Sequence, residues 1–103
     1  MSDSVGFNEL KVLQVLLYGE VYGLEIIEKL KTKQDVKISL GGLYTTLHRL
    51  EKKKLVKSRW GEATSETGGN RRKYYNLTAK GENVVLQARD DLKLLWEWGV
   101  PNV

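Results

Sequence analysis

The 103-residue chain contains no cysteine and a single histidine. Without cysteine it has no disulfide, no thiolate nucleophile and no cysteine-based zinc site, and one histidine excludes most other metal geometries. We therefore expect no metal and no cofactor. The chain also lacks an apolar run near the roughly 18 residues that a transmembrane helix needs. Its start, MSDSVGFNEL, has neither the cationic nor the apolar region of a signal peptide. These absences predict a cytoplasmic protein without a membrane partner.

The positive charge of the chain is unevenly distributed. The net charge is +4, but residues 37–73 hold ten Lys or Arg against three Glu, which leaves the remaining residues with a net charge of −3. Concentrated cations are typical of proteins that bind nucleic acid. A charge run is more often only a solvated surface, so this interpretation needs support from the fold.

The segment SLGGLYTTLHRLEKKK, residues 39–54, predicts a helix with two different faces. At 100° per residue, its four leucines share one side, with Ser39 as the N-cap. The opposite side carries small, hydrogen-bonding and cationic residues, the types that fit a DNA major groove and neutralise phosphates. The leucines are Leu40, Leu43, Leu47 and Leu50, and the opposite residues are Gly41, Thr45, His48, Arg49 and Lys52.

The remaining patterns predict a winged helix-turn-helix. One helix is expected from an N-cap at Asn8 to Tyr18, and another from about Tyr22 to Lys31. After Lys54 the hydrophobic period changes to two, which predicts strands over residues 55–62 and 72–78 around the polar tip ATSETGGN. The expected fold is mainly α with a small β-hairpin, the wing, which carries a cationic cluster at residues 71–73.

Residues 78–100 predict one long helix with Thr78 as the N-cap. Its apolar residues cover two sides, more surface than a domain of this size can bury, so we expect it to form a homodimer. The predicted dimer seam consists of Val85, Ala88, Leu92, Leu95, Trp96 and Gly99. The alternative is that both apolar patches pack within one chain. We assign residues 1–78 to the DNA-binding part and 79–103 to the dimerisation helix, in one continuous unit.

Three motifs resemble the PadR family of bacterial transcriptional regulators. They are YGLEIIEKL at residues 22–30, GGLYTTLHRLEKKKLV at 41–56 and RRKYYNLTAKG at 71–81. The single helix after the wing resembles the compact members of the family. This resemblance implies a homodimeric winged-helix repressor that binds an operator in double-stranded DNA through its third helix. Gly42 and Thr45 stand where the family often has threonine and proline, which leaves the operator sequence open.

The residue patterns and the resemblance together predict two sets of binding residues. The DNA-contacting set is Ser39, Gly41, Gly42, Tyr44, Thr45, Thr46, His48, Arg49, Lys52 and Lys53 on the helix, with Asn70, Arg71, Arg72 and Lys73 on the wing. The resemblance also implies a small aromatic effector held by Trp96 at the dimer interface, with Trp98 as a second wall.

Two other functions compete with this interpretation. A winged-helix module that binds an acidic protein, and no DNA, would use the same cations. An enzyme is disfavoured because Asp90 and Asp91 have no histidine, cysteine or glycine-rich loop near them in sequence, so general acid or nucleophilic catalysis has no recognisable residues.

Overall fold

The structure, a computed structural model, describes residues 5–66 and 68–99. Within these residues the chain forms four helices and one antiparallel sheet with the strand order β1-β3-β2. The elements are α1 (Phe7–Leu16), β1 (Val21–Tyr22), α2 (Gly23–Lys33), α3 (Leu40–Lys52), β2 (Val56–Trp60), β3 (Lys73–Leu77) and α4 (Ala79–Gly99). The predicted fold class, mainly α with a small β wing, is confirmed.

Two of the three predicted N-caps are correct. The Ser39 hydroxyl accepts a hydrogen bond from the Gly42 amide at 3.0 Å, and the Thr78 hydroxyl accepts one from the Gly81 amide at 3.0 Å. Each hydroxyl satisfies an amide that has no partner within its own helix. α3 and α4 therefore begin where the sequence predicts.

The predicted start and end of α1 were wrong. The helix begins at Phe7, one residue before the expected cap Asn8, because the Gly6 amide donates to the Glu9 carboxylate at 3.0 Å and this bond closes the first turn earlier. It ends at Leu16, two residues before Tyr18.

The sheet contains a strand that the sequence did not predict. β1 has only two residues, Val21 and Tyr22, which pair with Tyr75 and Tyr74 of β3. Two residues are too few to show an alternating pattern. Because β1 directly precedes α2, it attaches the start of α2 to the wing.

The core lies between α1, α2, α3, the sheet and the first turns of α4. Leu13, Ile26, Leu43 and Leu47 are among its fully buried side chains. Leu40, which we expected on the packed side of α3, is instead 41% exposed, because the first residue of the helix lies beyond the edge of this core.

α4 begins in tight contact with the loop that follows α3. A Cβ atom on Gly81 would overlap the Leu55 carbonyl oxygen, so only glycine allows this approach. The Thr78 amide donates to the same oxygen at 3.0 Å. Val85, one turn further on, is 3% exposed, whereas Leu95 is 66% exposed. α4 is thus packed at its beginning and uncovered towards its end.

Gly81→Ala is expected to lower the free energy of unfolding by about 1–3 kcal/mol, because the added methyl group meets a backbone oxygen that cannot move independently. Chemical denaturation at a fixed protein concentration measures this loss. Gly41→Ala is the matched control, since it also lies in the first turn of a helix but a methyl group there meets open space. The control should gain about 0.5–1 kcal/mol. Equal stability of the two variants would contradict the proposed contact.

Candidate nucleic-acid interface

The outward face of α3 carries most of the predicted helix residues. Tyr44, Thr45, His48, Arg49 and Lys52 are all exposed. On a helical projection they fall within an arc of roughly 140°. Ser39 and Gly41 are also exposed, and a side chain on Gly41 would meet open space. A partner can therefore approach the backbone closely at the start of this face.

Two predicted residues do not lie on this face. Thr46 is only 8% exposed, and its hydroxyl donates to the Gly42 carbonyl at 3.0 Å. Its position, 40° from the buried Leu50 on the projection, places it on the packed side. Gly42 is half-buried behind Ser39 and Ile38. We therefore correct the prediction and no longer expect Thr46 to contact DNA.

A carboxylate of α1 faces two cations at the end of α3. The Arg49 Nε atom lies 3.9 Å from Glu9 Oε2, and the Lys53 Nζ atom lies 3.5 Å from Glu9 Oε1. The Arg49 side chain is nevertheless 59% exposed, against 27% for Lys53. Arg49 is therefore the more accessible of these two predicted contacts.

Tyr44 forms the edge of α3 that faces the wing. Its ring centroid lies 6.5 Å from that of the buried Tyr75. A Cβ atom on Gly23 would lie only 2.6 Å from the Tyr44 hydroxyl oxygen, so glycine gives this hydroxyl room beside the first turn of α2. Burial, and then the neighbouring Tyr44 and Glu51, raise the pKa of Tyr75 to about 12. One side of Tyr44 is thus packed against the wing and α2, and the residue is 41% exposed.

The cations of the wing are held by aromatic rings and by backbone. The Arg72 guanidinium lies 4.4 Å from the centroid of the Tyr22 ring, and the Lys73 Nζ atom lies 5.5 Å from that of Trp60. The Arg71 Nε atom donates to the Gly61 carbonyl at 2.8 Å. Cation–π contacts fix a cation without neutralising it. None of these three contacts pairs the cation with a carboxylate.

Residues 63–66 and 68–70 of the wing tip are exposed, and Asn70 is one of them. Gly68 and Gly69 have φ values of +67° and +84°, a conformation that glycine adopts without strain. The pattern of small and polar residues that predicted a turn is explained by this geometry.

Arg59 lies on the opposite side of β2 from Trp60, because side chains alternate along a strand. Its Nε atom donates to Glu20 Oε2 at 2.8 Å, and the Asn76 amide donates to the same oxygen at 2.6 Å. The hydrogen bond from Arg59, followed by that from Asn76, lowers the pKa of the Glu20 carboxyl group. Arg59 is therefore engaged within the fold and is not directed towards α3.

A cleft of about 540 Å³ separates α3 from the wing. It brings together Tyr44 and His48 of α3 with Arg71, Arg72 and Lys73 of the wing. Thr45, Arg49, Lys52 and Lys53 lie outside its lining, as do the cap Ser39 and the tip residue Asn70. The cleft also contains residues that the sequence did not single out, namely Tyr22, Leu24 and Trp60.

The residues predicted to form a dimer seam are only partly exposed. Val85 belongs to the core of the single chain and Ala88 is half-buried, whereas Leu92 is 54% and Trp96 73% exposed. Leu95 is exposed as well. A groove of about 260 Å³ between α1 and α4 ends at Leu92 and includes Phe7. The side-chain roles predicted for Trp98 and Gly99 fall outside the side chains that the structure describes.

Helix, short strand, helix, helix and a two-stranded wing define the winged helix-turn-helix class. Residues 12–87 match the Transcriptional regulator PadR-like family, and the chain belongs to this family. Since its members are transcriptional regulators, the prediction that the chain is not an enzyme is confirmed. No helix within residues 5–66 and 68–99 is both long and apolar enough to cross a membrane.

Solved structures of transcriptional regulators share this fold. A PadR-like transcription factor from Bacteroides fragilis is 35% identical with a TM-score of 0.77, and the match covers 89% of this chain and 85% of that one. A regulator from Clostridium thermocellum is 32% identical with a TM-score of 0.72, over the same shares of the two chains. PadR of Bacillus subtilis, whose structure was solved with operator DNA, is 20% identical with a TM-score of 0.68 over 79% of this chain and 45% of its own. That last likeness concerns the fold alone.

A curated relative from Lysinibacillus sphaericus, an uncharacterized protein, is 32% identical over 73 residues. The match covers 69% of this chain and 64% of the relative. The chain therefore spans less than two thirds of that protein's length.

Proposed function

We propose that this protein is a cytoplasmic, homodimeric repressor that binds an operator in double-stranded DNA through α3 and the wing. The observation that carries the proposal is that one side of the molecule presents the exposed face of α3 next to three wing cations. Arg71, Arg72 and Lys73 lie beside Tyr44 and His48 across a single cleft. A helix of this width fits the major groove, and flanking cations neutralise phosphates.

The proposed dimer is supported by the uncovered apolar surface of α4. Leu92, Leu95 and Trp96 lie within an arc of roughly 100° on the helical projection, and each is more than half exposed. Monomeric soluble proteins rarely leave a contiguous apolar patch of this kind in water. A second copy covers this patch in the proposal, with the groove between α1 and α4 extending the contact. Because Val85 is already buried in one chain, the seam begins after it.

The proposed small aromatic effector is supported by Trp96, which is 73% exposed on the same surface. An indole ring at a dimer interface offers a flat apolar face to an aromatic ligand. The repressor role rests on the resemblance to regulators of this family.

Affinity and sequence preference are expected to depend on different residues. Replacing Arg71 and Arg72 with alanine should weaken binding to all duplexes alike and reduce the dependence of log affinity on log salt by about 0.9 for each phosphate contact removed. Thr45→Ala or Arg49→Ala should change the preference between duplexes selected from random DNA. Titrations at several salt concentrations measure both effects.

Lys57→Ala is the control for this prediction. It removes one positive charge from β2, half of the charge lost in the double wing variant, and Lys57 is absent from the lining of the cleft. We expect it to bind like the unsubstituted protein. Equal loss of sequence preference from the wing and α3 variants would contradict the assignment, and binding of an acidic protein without salt-dependent binding of DNA would favour the rival function.

Leu95→Lys is expected to give monomers, because it places a charge in the proposed seam. The loss of the second half-site should weaken operator binding roughly 100-fold. Sedimentation velocity at micromolar concentration measures the oligomeric state. Asn83→Lys is the matched control, since Asn83 is an exposed residue on the opposite side of the same helix. If the unsubstituted protein sediments as a monomer, the dimer is refuted.

A planar cationic dye is expected to quench tryptophan fluorescence saturably, with micromolar affinity, if Trp96 forms the effector site. Trp96→Ala should abolish this response. Trp60→Phe, which removes an exposed tryptophan elsewhere, should leave it intact. Saturable quenching that persists in Trp96→Ala, or its absence in the unsubstituted protein, would exclude this site.

A further inference from the structure

Trp60 exposes an unusually large apolar surface on the wing. Val56 and Ser58 precede it on the same face of β2, and burial along this face falls from Val56, which is 3% exposed, to Trp60, which is 56% exposed. β2 therefore extends from the core to the cleft, and its last residue places the indole there. An aromatic ring in this position has apolar surface that a ligand can cover.

The cation opposite Trp60 fixes the ring and adds charge beside it. Lys73 is its partner in the β2–β3 register, and the Lys73 Nζ atom lies 5.5 Å from the centroid of the indole. Arg71 and Arg72 follow along the same edge of the cleft. Glu51 is the single acid among the described lining residues, and its carboxylate already accepts a hydrogen bond from the Ser58 hydroxyl at 3.0 Å.

The lining of the cleft therefore combines aromatic rings with uncompensated cations. A ligand that fits must present apolar surface and negative charge in alternation. The sugar–phosphate backbone of DNA has this composition, because each deoxyribose lies between two phosphates. A purely apolar ligand would leave the cations unmatched, and a bare inorganic anion would leave the indole uncovered.

The position of the cleft also favours the DNA backbone as its ligand. With α3 in a major groove, the wing beside it reaches towards the adjacent minor groove. One strand of the duplex separates two neighbouring grooves, so its backbone must pass between α3 and the wing. The cleft lies in that place.

We propose that this cleft holds the backbone of the strand between the two grooves, and that the Trp60 indole packs on a deoxyribose there while Arg72 and Lys73 contact the flanking phosphates. This inference rests on the proposed DNA-binding function. It adds Trp60 to the DNA-contacting residues. The contact is independent of base identity, since every nucleotide carries the same sugar.

Trp60→Ala should weaken binding to a random-sequence duplex and to a selected duplex by the same factor, on the order of tenfold, as for other aromatic contacts with nucleic acid. The salt dependence should remain that of the unsubstituted protein, because no cation is lost. Trp60→Phe should retain most of the affinity. Tyr18→Ala is the control, since Tyr18 is 82% exposed but absent from the lining of the cleft.

The outcomes separate the two proposals. If Trp60→Ala binds both duplexes as tightly as the unsubstituted protein while the Arg71 and Arg72 variant binds weakly, the inference is wrong and the DNA-binding function stands. If the unsubstituted protein binds no duplex, the proposed function fails and the inference fails with it.

A second measurement does not require removal of Trp60. In a variant with Trp96→Phe and Trp98→Phe, Trp60 is the remaining tryptophan of the sequence. A saturating random-sequence duplex should reduce acrylamide quenching of its fluorescence severalfold, because the backbone covers the indole. Unchanged quenching at saturation would overturn the inference even if Trp60→Ala fails to fold.

Discussion

The close approach of α4 to the chain after α3 is the constraint on which the rest of the molecule depends. The Leu55 carbonyl oxygen accepts a hydrogen bond from the Thr78 amide, and Gly81 packs against the same oxygen. The Thr78 hydroxyl donates in turn to the Lys54 carbonyl at 2.7 Å. Lys54 itself has a φ of +62°, which ends α3 and turns the chain into β2. The end of α3, the base of the wing and the start of α4 are thus fixed to each other.

The number of cations in the sequence overestimates the positive charge of the proposed binding surface, because some cations pair with carboxylates within the fold. Arg59 is engaged by Glu20 on the far side of the sheet, and Arg49 shares Glu9 with Lys53. In the wing, Arg72 and Lys73 lie over the rings of Tyr22 and Trp60, which hold their positions without adding negative charge. Cations of the basic segment are therefore held in two ways, by carboxylates of other elements and by the faces of aromatic rings.

The periodic elements could be predicted from the sequence, and the convergence of separate segments could not. Ser39 and Thr78 precede clear apolar periods, so both caps were identified correctly. Thr46 was assigned to the DNA-binding face although it lies only 40° from Leu50 on the helical projection, which places it on the buried side. By contrast, β1 is too short to show a period. The approach of Tyr22, Leu24 and Trp60 to one cleft depends on the pairing of β1 with β3, which no local pattern encodes.

The different packing of the two ends of α4 constrains how this helix can vary. Its 21 residues are anchored at the first turn and exposed over residues 92–97. One inserted residue between these regions would rotate everything after it by about 100° and advance it by about 1.5 Å. In the proposed dimer that rotation would turn one DNA-binding unit relative to the other, away from a second half-site on the same side of the duplex. The length of α4 therefore sets the rotation of one DNA-binding unit relative to the other as well as the distance between them. α4 should tolerate substitutions better than insertions.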